Sequence, residues 1–128
     1  MKFFILLALS LAFCGLTTAQ DFNGDWQPVN WDPSNRLLSG MMNFGLQQAV
    51  PEAISAGNLP QGQWSLVHVN LITNQPQAGG AVDYNFNVNL QDQNGNKAHL
   101  GFMINNSANG SNSLLFWIVL PLDTPPSI

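Results

Sequence analysis

Cysteine and charged residues are scarce in this chain of 128 residues. Cys14 is the single cysteine, and charged side chains make up 8% of the sequence. After residue 19 only Arg36 and Lys97 remain as fixed cations, against seven carboxylates, which gives a net charge near −5. Because phosphates would meet almost no neutralising charge, nucleic acid is excluded as a main partner, and so are anionic membrane surfaces.

The first 19 residues have the pattern of a secretory signal peptide. Lys2 supplies the positive start, residues 3–13 are apolar, and small residues including Ala19 precede a cleavage site before Gln20. The apolar run is short for a bilayer span, and a retained anchor is the alternative. Cleavage predicts a secreted, extracellular protein without thiols, with no membrane attachment and with one domain over residues 20–128.

One helix is predicted, from about Asp32 to Val50. Asp32 suits the N-cap, where its carboxylate can accept hydrogen bonds from the first turn, and Pro33 suits the first helical position. From residue 34 onward the apolar residues recur with helical spacing. Pro51 is expected to end or kink the helix.

From residue 63 the apolar period changes to two, which predicts strands. Residues 82–90 (VDYNFNVNL) alternate strictly, and residues 64–71 alternate with one slip at Leu66 that suggests a bulge. Further strands are expected over 98–104 and 114–120, with a short one within 26–29. The fold class predicted is α+β: one long helix packed across a four- or five-stranded antiparallel sheet whose other face carries amides.

Three segments, in order, resemble the cystatin family. Gly24 opens GDWQPV, which is similar to the glycine-then-tryptophan start of secreted cystatins, and residues 41–46 (MMNFGL) resemble part of the family's helix. Residues 75–79 (QPQAG) stand where the family keeps Gln-x-Val-x-Gly. The resemblance covers about residues 23–123, and the absence of cysteine is similar to insect or plant members.

The resemblance implies a cystatin-like fold and reversible inhibition of papain-like, cathepsin-type cysteine proteases, without a cofactor. In that family three segments enter the protease cleft: the N-terminal segment, a first hairpin with the Gln-x-Val-x-Gly motif, and a second hairpin with Pro-Trp. The matching residues here are Gly24, Gln75, Pro76, Gln77, Ala78, Gly79, Pro121 and Leu122. Gln77 replaces the valine and Leu122 replaces the tryptophan, so weak inhibition is expected. Each replacement is expected to cost about 1 to 3 kcal/mol of binding free energy through lost apolar burial.

Other interpretations stay open at this point. Residues 75–80 can be a simple turn, since proline and glycine belong in turns. A non-inhibitory structural, surface-active or carrier protein is the alternative function, with self-association through the uncharged stretch 84–90 (YNFNVNL). His68 and His99 lie far apart on predicted strands, without paired ligands or a nucleophile, so neither an enzyme nor a metal site is expected.

Two Asn-x-Ser sequons begin at Asn105 and Asn109. For a secreted chain they predict a glycoprotein, and Asn109 beside Gly110 is the expected acceptor. This turn is expected at the sheet end away from the protease-binding segments. A glycan there is therefore predicted to leave inhibition intact.

Overall fold

The computed structural model describes residues 25–122, so Gly24 and the predicted signal peptide lie outside the described residues. One helix packs against a five-stranded sheet, which confirms the α+β class. The sheet order is β1-β2-β3-β4-β5, and every neighbouring pair is antiparallel. The elements are β1 Gln27–Pro28, α1 Arg36–Ser55, β2 Ser65–Pro76, a 3₁₀ turn Ala78–Gly80, β3 Val82–Gln91, β4 Lys97–Asn106 and β5 Asn112–Leu120.

The helix begins four residues later than predicted. Asp32 Oδ1 accepts hydrogen bonds from Ser34 N (2.9 Å) and Ser34 Oγ (2.8 Å), so its carboxylate closes a turn before the helix. Asn35 is the N-cap instead, and its Oδ1 accepts from Leu38 N at 3.1 Å. Two residues with cap chemistry stand three positions apart, and the second one starts α1.

Pro51 lies inside α1 and does not end it, so the predicted end was wrong. A proline in a helix interior costs about 3 kcal/mol, yet the helix continues to Ser55. The last turn contributes the fully buried Ala53, whose carbonyl accepts hydrogen bonds from Asn58 N (2.8 Å) and Leu59 N (3.2 Å). Packing and these bonds hold the last turn in place beyond the proline.

The core lies between α1 and one face of the sheet. The helix approaches β4 closely at Gly45, where an added Cβ would lie 2.1 Å from Phe102 Cε2. Phe102 stacks on Phe86 with ring centroids 4.9 Å apart. The alternation predicted for β3 and β4 is confirmed by the buried residues Tyr84, Phe86, Val88, Leu90, Ala98, Leu100, Phe102 and Ile104.

Strand β2 carries two register shifts where the sequence predicted one. The first falls between Leu66 and His68, as expected, and the second between Val69 and Leu71. Because of the second shift, Leu71 pairs with Asn87 and lies outside the core cluster. The sequence pattern had placed Leu71 on the same face as Val69, and that was wrong.

The face of the sheet turned away from α1 is only half amide-covered. Strand β3 presents asparagines there, as predicted. On β5 the side chains of Ile118 and Leu120 reach over Gly101, within 3.3 and 3.8 Å of the position that its Cβ would occupy. Ile118 is 38% exposed and Leu115 is 52% exposed, so the β5 half of this face is apolar. Within residues 25–122 no helix has the length and apolarity that a membrane crossing requires.

Candidate functional site

The antiparallel order sorts the loops onto two ends of the sheet. The β2–β3 connection (residues 77–81) and the β4–β5 connection (residues 107–111) lie at one end, here called the two-hairpin end. Gln27 pairs with Asn74 near the end of β2, so the chain before β1 also leads to this end. The β3–β4 turn (residues 92–96) lies at the opposite end, here called the Asp92 end.

The first hairpin is compact and exposes small residues at its tip. Gln77 N donates to Ala81 O at 2.8 Å and closes the turn. The half-buried Gln77 side chain folds back, with Nε2 3.0 Å from Gln75 Oε1. Ala78, Gly79 and Gly80 are exposed, and both glycines have positive φ (77° and 84°), which favours glycine at these positions. The structure therefore brings residues 75–79 together at a tip, as the sequence predicted.

A second hairpin lies at this end, which the sequence analysis had expected at the opposite end of the sheet. Residues 107–111 (SANGS) close by Ser107 N donating to Ser111 O at 2.9 Å. A Cβ added to Gly80 would lie 3.3 Å from Ala108 Cβ, so the two hairpin tips are in direct contact. The number of predicted strands was enough to place this turn. Alternate turns of an antiparallel meander lie at the same end of its sheet, and two strands separate residues 77–81 from residues 107–111.

Pro121 and Leu122 do not lie beside the first hairpin, where the resemblance had implied a second hairpin. They follow β5, whose last residue Leu120 pairs with His99, and this places them at the Asp92 end, away from residues 75–79. Pro121 O lies 3.2 Å from His99 Nδ1. The sequence analysis had expected the turn after residue 104 at the opposite end from residues 75–79 and Pro121 at the same end. The structure shows the reverse for both.

Residues 105–111 carry the two sequons, and their predicted placement at the opposite end from residues 75–79 was wrong. The turn lies at the two-hairpin end beside Gly80. Asn105 is on β4, half-buried, and its Nδ2 donates to Asp83 Oδ1 at 2.8 Å. Burial raises the pKa of Asp83, and the hydrogen bond from Asn105 opposes that shift.

The Asp92 end is fixed by a dense set of hydrogen bonds. Asp92 Oδ1 accepts from Asn94 N (2.9 Å) and Asn96 N (2.8 Å), and Oδ2 accepts from Asn96 Nδ2 (2.9 Å). Its side chain is only 7% exposed. The hydrogen bond from the Asn96 side chain, joined by those from backbone amides, lowers the pKa of Asp92 against the opposing effect of burial.

A buried polar network on the outer face adjoins this end. His99 is 2% exposed and contacts an oxygen through each ring nitrogen: Pro121 O and Asn87 Oδ1. Asn70 Nδ2 donates to Asn87 Oδ1 and to Asn89 Oδ1, both at 3.0 Å. These side chains link β2, β3, β4 and the end of β5 across the sheet.

Groups with catalytic or metal-binding chemistry are dispersed in the described part of the chain. His68 is exposed on β2, whereas His99 is buried on β4. Residues 25–122 contain no group of three or more His, Cys, Asp or Glu side chains that could hold a metal. An open groove of about 460 Å³ lies beside α1 and β5, and across it Trp117 Nε1 donates to Glu52 Oε1 at 2.8 Å.

The resemblance to the cystatin family rests on the three short segments described in the sequence analysis. A scan against protein-family models finds no match, and searches of curated proteins and of solved structures find none either. The candidate site is therefore defined by geometry: residues 77–81, residues 107–111 and the chain leading into β1.

Proposed function

We propose that the protein is a secreted, cystatin-like reversible inhibitor of papain-like cysteine proteases and that the two-hairpin end enters the protease cleft. The supporting observation is the contact between the two hairpin tips, Gly80 against Ala108, at the end to which the chain before β1 leads. The resemblance to cystatins implies three segments of this kind, in this chain order. Here the second hairpin is residues 107–111 in place of Pro121 and Leu122.

The chemistry of this end suits a narrow cleft. Neither hairpin contains a charged residue, and the tips consist of alanine, glycine, serine and amide side chains. Such tips lose little side-chain entropy on docking, because Ala and Gly have no rotamers to fix. Because the sheet holds the turns in place, they also lose little backbone freedom. The absence of a large apolar anchor at position 77 supports weak rather than tight inhibition.

The test is a papain titration with the protein after glycosidase treatment and with two charge variants treated in the same way. Ala78→Glu puts a carboxylate on the exposed tip at a residue without positive φ, and roughly a hundredfold weaker inhibition is expected because the cleft would desolvate an unpaired charge. Gln61→Glu adds the same charge to an exposed loop at the Asp92 end and is expected to leave inhibition unchanged. Melting temperatures should be equal for all three proteins.

Two outcomes would contradict this proposal. One is the absence of inhibition by the glycosidase-treated protein of natural sequence at high micromolar concentration. The other is equal weakening by Ala78→Glu and Gln61→Glu, since that would mean that contact with the protease does not involve the two-hairpin end.

A second candidate function, self-association, is favoured by the edge strand β5. The stretch 84–90 lies within the central strand β3, which is already paired on both sides, so the predicted pairing of that stretch with its own copy is unavailable in the fold. Strand β5 is at the sheet edge and has neither charge nor proline in its nine residues, whereas the other edge, β1, has two residues and ends at Pro28. Strand β5 therefore lacks the charge and the proline that block pairing at many sheet edges, and it keeps one edge-protecting feature, a bulge at Leu115.

The expected partner is a second copy, paired β5 to β5 in antiparallel fashion, because two identical uncharged strands meet without charge repulsion. Sedimentation at rising concentration should show a dimer, and Leu115→Lys should abolish it. Leu37→Lys, on the exposed face of α1, is the matched control and should leave it intact. A monomer at all concentrations contradicts this candidate.

A further inference from the structure

The two sequons differ in what their acceptor amides do. Asn105 lies on the inner strand β4, and its Nδ2 already donates to Asp83 at 2.8 Å. Asn109 lies at the exposed tip of residues 107–111. Its Oδ1 accepts from Ser111 N (3.1 Å) and Ser111 Oγ (2.9 Å), and its Nδ2 makes no hydrogen bond to residues 25–122. Of the two sequon asparagines, Asn109 is therefore the exposed one whose amide nitrogen has no hydrogen-bond partner within residues 25–122.

The same tip belongs to the two-hairpin end. Ala108, the residue before Asn109, contacts Gly80 of the first hairpin, at 3.3 Å from the position of its absent Cβ. An oligosaccharide attached to Asn109 would project from this tip, next to Ala78 and Gly79. It is larger and far more hydrated than either hairpin.

We propose that Asn109 is the N-glycosylation site and that its glycan covers the two-hairpin end, so that the glycosylated protein is prevented from docking there. In the modification, Asn109 Nδ2 bonds to the anomeric carbon of an oligosaccharide carried on a lipid pyrophosphate. The carbon–oxygen bond to the pyrophosphate breaks, the pyrophosphate leaves with the electron pair, and Nδ2 loses one proton. The consequence for inhibition rests on the proposed function, but the shielding does not.

The first experiment locates the glycan. The full chain is expressed in eukaryotic secretory cells with its natural sequence and as the variants Asn109→Gln and Asn105→Gln. Intact masses are measured before and after glycosidase treatment. One glycan is expected on the protein of natural sequence and on Asn105→Gln, and none on Asn109→Gln. Peptide mapping of the unmodified protein identifies the acceptor directly, so misfolding of a variant does not affect the conclusion. No glycan, or a glycan on Asn105, overturns the inference.

The second experiment tests shielding without reference to protease binding. In Ala78→Cys the new thiol lies on the first hairpin, and in Gln61→Cys it lies at the Asp92 end. Labelling of Ala78→Cys by a bulky maleimide should be several-fold slower with the glycan than after its enzymatic removal. Labelling of Gln61→Cys should be equal in both forms. Equal rates at Ala78→Cys contradict the shielding.

The third measurement connects shielding to inhibition. The glycosylated protein should inhibit papain at least about tenfold more weakly than the enzymatically deglycosylated protein. If glycosylation protects Ala78→Cys but neither form inhibits papain, the proposed function fails while the shielding stands. If both forms inhibit equally, the control of docking by the glycan is wrong and the proposed function stands.

Discussion

The aspartates at the two ends of the sheet differ in how many hydrogen bonds their carboxylates accept. At the Asp92 end one carboxylate accepts three hydrogen bonds from Asn94 and Asn96, and Gln93 Oε1 accepts from Gln63 N at 2.8 Å across the loops. Toward the two-hairpin end, Asp83 is half-buried with one amide partner, and the buried Thr73 hydroxyl has no hydrogen-bond partner.

This difference indicates which end is built for stability. At the Asp92 end the carboxylate is stabilised by side-chain and backbone donors, which lower its pKa. The other end holds a half-buried carboxylate with a raised pKa and a buried hydroxyl without a partner among residues 25–122. Natural proteins keep such unfavourable features where function requires them, which is consistent with docking at the two-hairpin end.

The largest effect on stability is expected from His99→Ala. The change removes a side chain that is 2% exposed and leaves Asn87 Oδ1 and Pro121 O without the ring that joins them. Unfolding free energy should fall by about 2 to 3 kcal/mol in urea titrations. His68→Ala, at an exposed position on β2, is the control and should change it by less than about 0.5 kcal/mol. Equal effects would mean that the buried network does not stabilise the Asp92 end.

Next in size is a pH effect that should have opposite signs at the two ends. The pKa of Asp92 is lowered in the folded state, so its stabilisation is complete above the ordinary aspartate pKa of about 3.9 and is lost as pH falls through the folded pKa. Asp92→Asn should therefore destabilise at pH 7, and the difference should shrink in acid.

For Asp83 the sign reverses. Its pKa is raised, so the folded protein is penalised above the folded pKa and the penalty disappears as pH falls to the unfolded value. Asp83→Asn should stabilise at pH 7, with a difference that also shrinks in acid. Thermal unfolding from pH 3 to 7 measures both variants. The same sign for both variants would remove the distinction between the ends.

The periodicities of the sequence were sufficient for the fold class and for most of the sheet. Strict alternation over residues 82–90 correctly predicted that Tyr84, Phe86, Val88 and Leu90 face the core, because one face of an antiparallel sheet meets the helix. It did not predict that Asn87, on the other face, is also buried. The boundaries of α1 were not predictable in the same way. Asp32 and Asn35 have the same cap chemistry, and only the folded chain shows that Asp32 closes a turn with Ser34.

Prediction of the site failed although the periodicity had supplied the strands needed to place it. Residues 75–79 were correctly placed at the connection between two strands, since Pro and Gly are local signals. Which other turn lies beside them follows from the number of strands between the turns, because alternate turns of an antiparallel meander lie at the same end of the sheet. Assigning the second hairpin to Pro121 and Leu122 treated the turn at residues 107–111 as belonging to the far end of the sheet.

A smaller effect is expected from Gln77→Val, which restores an apolar side chain to the first hairpin. Inhibition of papain should tighten by up to about tenfold, because a valine in the cleft gains burial that the amide does not. The lost hydrogen bonds to Gln75, the nearer at 3.0 Å, are local and cost little. Gln61→Val, at the other end, is the matched control. An unchanged inhibition constant for Gln77→Val would show that this tip is not in the cleft.

The smallest effect is expected from Thr73→Val. Thr73 is fully buried on β2 between Pro28 and Asn85, and its Oγ1 has no hydrogen-bond partner within residues 25–122. Valine keeps the shape and removes the buried hydroxyl, so the unfolding free energy should rise by about 1 kcal/mol. Thr73→Ser keeps the hydroxyl, loses the methyl group and should destabilise. Destabilisation by valine would show that the hydroxyl is satisfied after all.

If Thr73→Val instead stabilises the protein and leaves papain inhibition unchanged, the buried hydroxyl of Thr73 lowers stability without being required for docking. The raised pKa of Asp83 would then be the remaining unfavourable feature of the two-hairpin end.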